Sequence, residues 1–244
     1  MLRIMMMGLS LIAIVIVNVT TNTTPLNGQI IGSTANKLPV LFMPSGYVFI
    51  IWVIIYLLLI IWLYGFRQYH HNSPSSLLNR RASLFVLSCL LTIVWILCWQ
   101  YSFYYWTIIA ILALLLTLLA LYFTYPKTDN QLFGRLPIGV FLGWVFILTI
   151  TNVSYILTLH EWSGWGLSDP LWTVAYLTFA TAISLHFIYH HRDIALNSVF
   201  IWAFIGIAIH NGVNELFVSA AALFLTAVIG VSCLLAKKSI EPYK

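Results

Sequence analysis

Charged side chains are scarce in this chain of 244 residues. Asp, Glu, Lys and Arg together make up 7% of it, whereas an ordinary globular protein has about a quarter. Apolar residues make up 61% and aromatic residues 16%, which excludes a disordered chain, because such chains are rich in charge and poor in aromatic residues. The 11 basic and 6 acidic side chains cannot solvate the surface of a soluble protein of this length. The remaining class is a polytopic α-helical membrane protein.

Recognisable enzyme signatures are also absent. The sequence contains no HExxH, GxSxG or P-loop motif, and no predicted span carries the pair of acidic residues that is usual in proton relays. The three cysteines lie in apolar runs without the spacing of a zinc site. Two histidine pairs, 70–71 and 190–191, lie in predicted loops beside arginines; we interpret them as loop residues, with metal binding as the weaker alternative. We therefore predict no catalytic set, no metal ion and no cofactor.

Eight apolar runs are long enough to cross a membrane, since a spanning helix needs roughly 20 apolar residues. The predicted spans, in order, are 2–19, 46–66, 83–100, 103–125, 136–159, 170–190, 194–210 and 213–236. The gaps at 101–102 and 211–212 are so short that they predict two tight hairpins. The first run also resembles a signal peptide, but no small-residue cleavage site follows it, so we favour an uncleaved span.

The positions of the basic residues predict the orientation of the spans. With a cytoplasmic N-terminus, Lys37 alone lies on the outer side, and the cytoplasmic side receives Arg3, Arg67, Arg80, Arg81, Lys127, Arg135, Arg192, Lys237, Lys238 and Lys244. This asymmetry follows the positive-inside rule, so we expect both termini to be cytoplasmic, in a bacterial plasma membrane. Attraction to anionic lipid headgroups explains the net charge of +5. We therefore predict membrane lipid as a partner, and no nucleic acid.

Aromatic and polar residues form stripes on three predicted spans, because residues three or four apart share one face of a helix. The stripes are Phe49, Trp52 and Tyr56 on the second span, Ser88, Thr92, Trp95 and Trp99 on the third, and Trp144, Leu148, Asn152 and Tyr155 on the fifth. Ordinary packing explains any one stripe. A buried indole N–H, however, needs a partner that hydrocarbon does not offer. The three stripes together predict a shared apolar pocket with a few donors, as is usual for small-molecule sites.

Two further features bear on function. The first outer loop, roughly 20–45, is the longest connection, and long loops often act as lids; a passive solvated loop is the alternative. A second polar set lies on the last three spans and consists of His186, His210, Asn211, Asn214 and Glu215. An acid near the membrane interior, such as Glu215, is a functional-site hypothesis by default, and helix capping explains it equally well.

The order of these features resembles the TspO/MBR family, which comprises the tryptophan-rich sensory proteins and the mitochondrial translocator (peripheral benzodiazepine receptor) proteins. Three segments carry the resemblance. The family's loop and second helix resemble Pro39-x4-Pro44-x-Gly-Tyr-Val-Phe-x-x-Trp52-x-x-x-Tyr56. Its Asn-x-x-Trp stretch resembles Thr92-x-x-Trp95. Its Trp-x-x-x-Ala-x-x-x-Asn signature resembles Trp144-x7-Asn152.

The chain departs from the family pattern in several places. Thr92 replaces the asparagine of the third-helix stretch, Leu148 replaces the alanine of the fifth-helix signature, and Leu41 stands where a tryptophan is expected in the loop. Spans six to eight lie outside the five-helix bundle of the family. We predict a five-helix core over 1–160 and a three-helix extension over 161–244. The extension covers the bundle, forms a homodimer contact or builds a second site.

The resemblance implies a hydrophobic ligand pocket inside the bundle, with the first loop as its lid. The implied ligands are porphyrins such as heme, other tetrapyrroles, sterols and benzodiazepine-type drugs. The ligand-binding residues that the resemblance implies are Trp52, Thr92, Trp95, Trp144, Leu148 and Asn152. We add Phe49 and Tyr56, which share the aromatic stripe of Trp52. We predict a membrane receptor or sensor. A transporter of a small apolar or amphipathic molecule is the alternative, and porphyrin breakdown is a third, enzymatic one.

Overall fold

The structure is a computed structural model that describes residues 2–23, 38–69 and 74–238. Within these residues the chain forms eight α-helices and no strand, which confirms the predicted all-α class. In chain order the helices are α1 (Leu2–Thr23), α2 (Ile51–Tyr69), α3 (Ser75–Gln100), α4 (Tyr104–Tyr122), α5 (Leu136–Leu159), α6 (Asp169–His191), α7 (Ile194–Asn211) and α8 (Leu216–Lys238). A short 3-10 turn, Gly46–Ile50, leads into α2.

The eight helices of the described residues are each long and apolar enough to cross a membrane. Large apolar side chains such as Ile12, Val53 and Leu116 are more than half exposed. Helices satisfy their own backbone hydrogen bonds, so an apolar helical surface of this kind is suited to lipid. The protein is therefore an integral membrane protein, as predicted, whereas the orientation of the termini and the bacterial plasma membrane stay predictions.

The helix boundaries differ from the predicted spans at a few ends. Helix α3 begins at Ser75 rather than at residue 83, because Asn79, Arg80 and Arg81 interrupt the apolar run within its first two turns. Helix α4 ends at Tyr122 rather than at residue 125, shortly before Pro126, whose ring is incompatible with a continuing helix. The two short hairpins, between α3 and α4 and between α7 and α8, are present as predicted.

Helix α5 lies at the centre of the bundle. In its most apolar stretch 78% of the residues are buried, against 22% in α1. It packs against α2, α4, α6 and α7, while α1 packs on α2 and α3, and α8 packs on α6 and α7. Helix α7 of the predicted extension thus contacts α5 of the predicted core directly, and the division of the chain at residue 160 stays a prediction.

Two glycines four residues apart allow α5 and α7 to approach closely. A Cβ atom on Gly143 would lie 2.9 Å from the backbone oxygen of Leu196 and 3.3 Å from Val199 Cβ. A Cβ atom on Gly139 would lie 2.8 Å from a carboxylate oxygen of Asp193. Small residues at this spacing are typical of close contacts between membrane helices, so the glycine pair sets the distance between α5 and α7.

A buried carboxylate joins three helices at one end of the bundle. Asp193 is 1% exposed and caps α7 by accepting a hydrogen bond from the backbone N–H of Leu196 at 2.9 Å. Its Oδ2 accepts a hydrogen bond from the Tyr122 hydroxyl of α4 at 2.7 Å and forms an ion pair with Arg135 Nε at 3.8 Å. We call Tyr122, Arg135 and Asp193 the polar junction.

The guanidinium of the polar junction is buried and well satisfied. Arg135 precedes α5, is 1% exposed and donates to the backbone oxygens of His191 at 2.8 Å and Lys127 at 2.9 Å. It also donates to Asn130 Oδ1 at 2.6 Å. A buried charge is tolerated only when it is paired and hydrogen-bonded. The hydrogen bonds of Arg135 meet this condition, and they tie the α4–α5 loop to the end of α6. We call this end of the bundle, which also carries Arg192, the basic end.

We expect Gly143→Ala to destabilise the bundle by about 1–3 kcal/mol, because the added methyl meets a backbone oxygen of α7 that cannot rotate away. Gly230→Ala in α8 is the matched control, since no described atom lies within 4 Å of a Cβ built there. The midpoint of thermal unfolding in detergent measures the difference. Equal midpoints for the two variants would contradict the close contact of α5 and α7.

We expect Asp193→Asn to reduce the free energy of unfolding by about 3–5 kcal/mol, because it leaves the Arg135 charge buried without a counter-ion. Combining it with Arg135→Met removes that charge, so the double variant should lose less than the sum of the two single losses. Denaturant titrations of the four proteins measure this. Strict additivity of the losses would show that the two side chains act independently and that the junction is not a unit.

Candidate functional site

Predicted binding residues of α5, of α2 and of the 3-10 turn that leads into α2 meet in one group of rings. The Trp144 ring centroid lies 5.6 Å from that of Phe49 and 6.4 Å from that of Trp52, in both cases edge to face. Tyr56 stacks on Trp52 at 5.7 Å, and Phe141 lies 6.1 Å from Trp52. Such separations are typical of favourable aromatic pairs. We call Phe49, Trp52, Tyr56, Phe141 and Trp144 the aromatic cluster.

A second group of rings lies between α3, α4 and α5. The predicted binding residue Trp95 lies 6.3 Å from Trp99, measured between ring centroids. Trp99 in turn lies 4.8 Å from Tyr155 and 5.9 Å from Tyr104. Phe49 packs against the buried residues around both groups. The predicted stripes of α2, α3 and α5 are therefore neighbours, joined at Phe49.

The other predicted binding residues are buried in the bundle. Leu148 is 5% exposed and belongs to the main core. The hydroxyl of Thr92 donates to the backbone oxygen of Ser88 at 2.8 Å, so it is satisfied within α3. Asn152 Oδ1 accepts a hydrogen bond from the Thr107 hydroxyl of α4 at 2.9 Å. That these residues bind a ligand stays a prediction.

Four buried donor groups in and beside the aromatic cluster have no hydrogen-bond partner among the described residues. They are Tyr56 Oη, Trp95 Nε1, Trp144 Nε1 and Asn152 Nδ2. Each carries a hydrogen that it can donate. Leaving such a group unpaired costs about 1–3 kcal/mol, and native structures contain few of them. All four lie on residues that the sequence stripes single out, and together they could bind acceptor oxygens of an apolar ligand.

The chain that leads into α2 is anchored by α7. The backbone N–H of Ser45 donates to the Gly206 oxygen at 3.1 Å, and the indole N–H of Trp202 donates to the Val48 oxygen at 3.1 Å. A Cβ atom on Gly206 would lie 2.2 Å from Val48 Cγ2, so glycine is required there for the two segments to touch. We call residues 38–50 the loop segment.

The loop segment is packed against the bundle rather than solvated. Asn211 Nδ2 donates to the backbone oxygen of Leu41 at 2.8 Å. Val40 and Phe42 are at most 1% exposed, and Val40 packs in the same small core as Trp99. The loop segment thus forms a wall beside the second group of rings. Residues 24–37 of the predicted lid lie outside the described residues.

Sequence reasoning missed Trp202 and Gly206. Both lie on α7, one helical turn apart, and the Trp-x-x-x-Gly spacing is the signal that could have indicated a close contact there. It also missed the Gly139-x-x-x-Gly143 pair of α5. The motifs of the resemblance cover the first five spans, whereas both of these contacts involve the seventh.

The predicted polar set of the last three helices lies at both ends of the bundle. His186 lies at the basic end and stacks on His190 with 4.4 Å between ring centroids. Asn211 and Glu215 lie at the opposite end, where Glu215 borders a cavity of about 490 Å³ together with Trp162. Among the residues that the structure describes, no group of three or more His, Cys, Asp or Glu side chains could hold a metal ion.

Comparison with known protein families gives a match over almost the whole chain. A family model described as TSPO-like protein matches residues 4–235, from α1 into α8. This match confirms the family that the sequence motifs indicate. The comparisons with curated proteins and with solved structures gave no match.

We expect Trp202→Phe and Asn211→Leu each to speed amide hydrogen exchange of the loop segment about fivefold. Each variant removes one hydrogen bond to the loop segment, worth about 1 kcal/mol, and Trp202→Phe keeps a ring opposite Tyr47. Exchange followed by mass spectrometry of peptides from the loop segment measures the effect. Trp106→Phe, at an exposed tryptophan of α4, is the control, and exchange that is equally fast in all three variants would contradict the anchoring role of α7.

Proposed function

The chain belongs to the TSPO-like protein family, and from that membership we propose that it is a membrane receptor for an apolar small molecule that carries acceptor oxygens. The proposed site is the aromatic cluster together with Trp95 and Asn152. The observation that carries this proposal is the set of four buried donors without partners. An unbound receptor that keeps donors unpaired recovers their lost hydrogen bonds when an acceptor binds.

The donor set favours one class among the ligands that the resemblance implies. A phenol, two indoles and a carboxamide all donate hydrogen bonds, so they suit carboxylate or carbonyl oxygens. Hydrogen bonds to a charged acceptor are about twice as strong as neutral ones. A porphyrin combines a flat apolar ring system, which stacks on tryptophan, with carboxylates that accept. A sterol offers a single hydroxyl and would leave most of the donors unpaired, so we propose a tetrapyrrole.

The aromatic cluster must open to admit such a ligand. The rings of Phe49, Trp52 and Trp144 already contact one another, with centroids 5.6 and 6.4 Å apart. Phe49 lies in the loop segment, which three hydrogen bonds attach to α7. We propose that the loop segment moves away from α7 as the lid, so the attachment to α7 sets the cost of opening.

We expect Tyr56→Phe to weaken binding of protoporphyrin IX about fivefold, because it removes one donor worth about 1 kcal/mol and keeps the ring. The same variant should unfold at an equal or higher temperature, because it removes a buried unpaired group from the unbound protein. A purely structural role would lower that temperature. Quenching of tryptophan fluorescence in nanodiscs measures binding, and Tyr64→Phe, at an 82% exposed tyrosine of the same helix, is the matched control.

The outcomes of this titration separate the candidate functions. Saturable quenching that is weakened in Tyr56→Phe, and weakened ~10-fold or more when Trp144→Phe is added, supports the receptor. Equal, non-saturating quenching in wild type and variants would mean partition into lipid and would contradict the proposed site. Passage of protoporphyrin IX into sealed vesicles would indicate the transporter instead, and loss of its absorbance would indicate breakdown.

A further inference from the structure

A second candidate site lies at the basic end, apart from the aromatic cluster. A groove of about 920 Å³ opens between α1, α2 and α3, which is within the range of roughly 300–1,000 Å³ that is usual for ligand sites. Its floor includes Phe66 and Ala82, which are 2% and 5% exposed. No residue of the aromatic cluster lines it. The groove is therefore independent of the proposed receptor site.

The groove is polar at one end and apolar along its length. Its residues on α3 follow the spacing of a single helical face, and they are Asn79, Ala82, Ser83, Val86, Leu87 and Leu90, together with Leu78. At 1.5 Å per residue the stripe from 79 to 90 is about 16 Å long. Arg3, Asn79 and Ser83 lie toward the starts of their helices, at the basic end, with Leu2 and Leu78 beside them. Further along α3, from Val86 to Leu90, the lining is entirely apolar. An amphipathic molecule would fit this arrangement in one direction only.

The charge of the groove is positive. Arg3 lines it, and its described lining includes no acidic residue. Arg80, next to Asn79 on α3, is exposed at the same end. In a membrane protein, basic residues at the ends of helices attract anionic headgroups, and basic pockets between helices bind them. A zwitterionic lipid carries the same phosphate but adds a cation, which Arg3 would repel.

We propose that the groove between α1, α2 and α3 binds an anionic membrane lipid. The headgroup phosphate lies at Arg3 and Asn79, whose side chains donate hydrogen bonds, and one acyl chain lies along Val86, Leu87 and Leu90. The bound lipid fills the groove and so packs between α1 and α3 at the basic end. This site requires no ligand in the aromatic cluster and stands whether or not the receptor proposal holds.

Native mass spectrometry of the protein released from mixed micelles tests this proposal. The probes are phosphatidylglycerol, phosphatidylcholine of the same chain length, and inorganic phosphate. We expect wild type to retain phosphatidylglycerol in preference to phosphatidylcholine. Arg3→Gln should weaken the retention of phosphatidylglycerol about fivefold, as is usual for one basic residue near the headgroups. Ser83→Trp, at an exposed position of the groove, should displace both lipids by filling the space.

The control is Arg192→Gln, which removes an exposed charge of the same end at a turn outside the groove. Unchanged retention in this variant supports a defined site. A loss equal to that of Arg3→Gln would mean attraction by the surface as a whole and would overturn the proposal. Equal retention of the two lipids in wild type would also overturn it. Displacement of phosphatidylglycerol by inorganic phosphate alone would show a site for free anions rather than for a lipid.

Discussion

The carboxylate of Asp193 is the point on which the arrangement of the central helices depends. It caps α7, accepts a hydrogen bond from α4 and faces the guanidinium that precedes α5. Its position against Gly139 brings α7 onto α5. Because α5 carries two of the aromatic cluster's rings and α7 holds the loop segment, the contact between these two helices links the polar junction to the candidate site.

The interior of the bundle contains two kinds of polar group. In the polar junction the charged atoms are paired, and the structure is rigid there because breaking a buried pair is costly. Around the aromatic cluster the four donors have no described partners, and each unpaired donor lowers the free energy of unfolding of the unbound protein. Sites that bind ligands are commonly drawn from the less stable parts of a protein. The contrast supports a division between a fixed polar junction and an aromatic interior that opens.

The sequence predicts all eight helices of the described residues, because apolar runs and their hairpins depend on local composition. It also predicts that Trp52 and Tyr56 share one face of α2, since their spacing of four residues fixes that face. The sequence does not predict the burial of Arg135. An arginine beside an apolar run looks the same in the sequence whether it is exposed in a loop or buried in an ion pair. Trp202 and its hydrogen-bond partner Val48 are 154 positions apart in the chain, and no local sequence pattern predicts a contact between such distant residues.

The attachment of the loop segment to α7 has a thermodynamic consequence. If a ligand enters by releasing the loop segment, any lipid or protein that contacts α7 or α8 and alters that attachment also alters the affinity for the ligand. The coupling is reciprocal, because two binding events linked through one conformational change alter each other's affinity by the same factor. The three helices that follow residue 160 would then act as an effector surface, through which the surrounding membrane tunes a site that it does not touch.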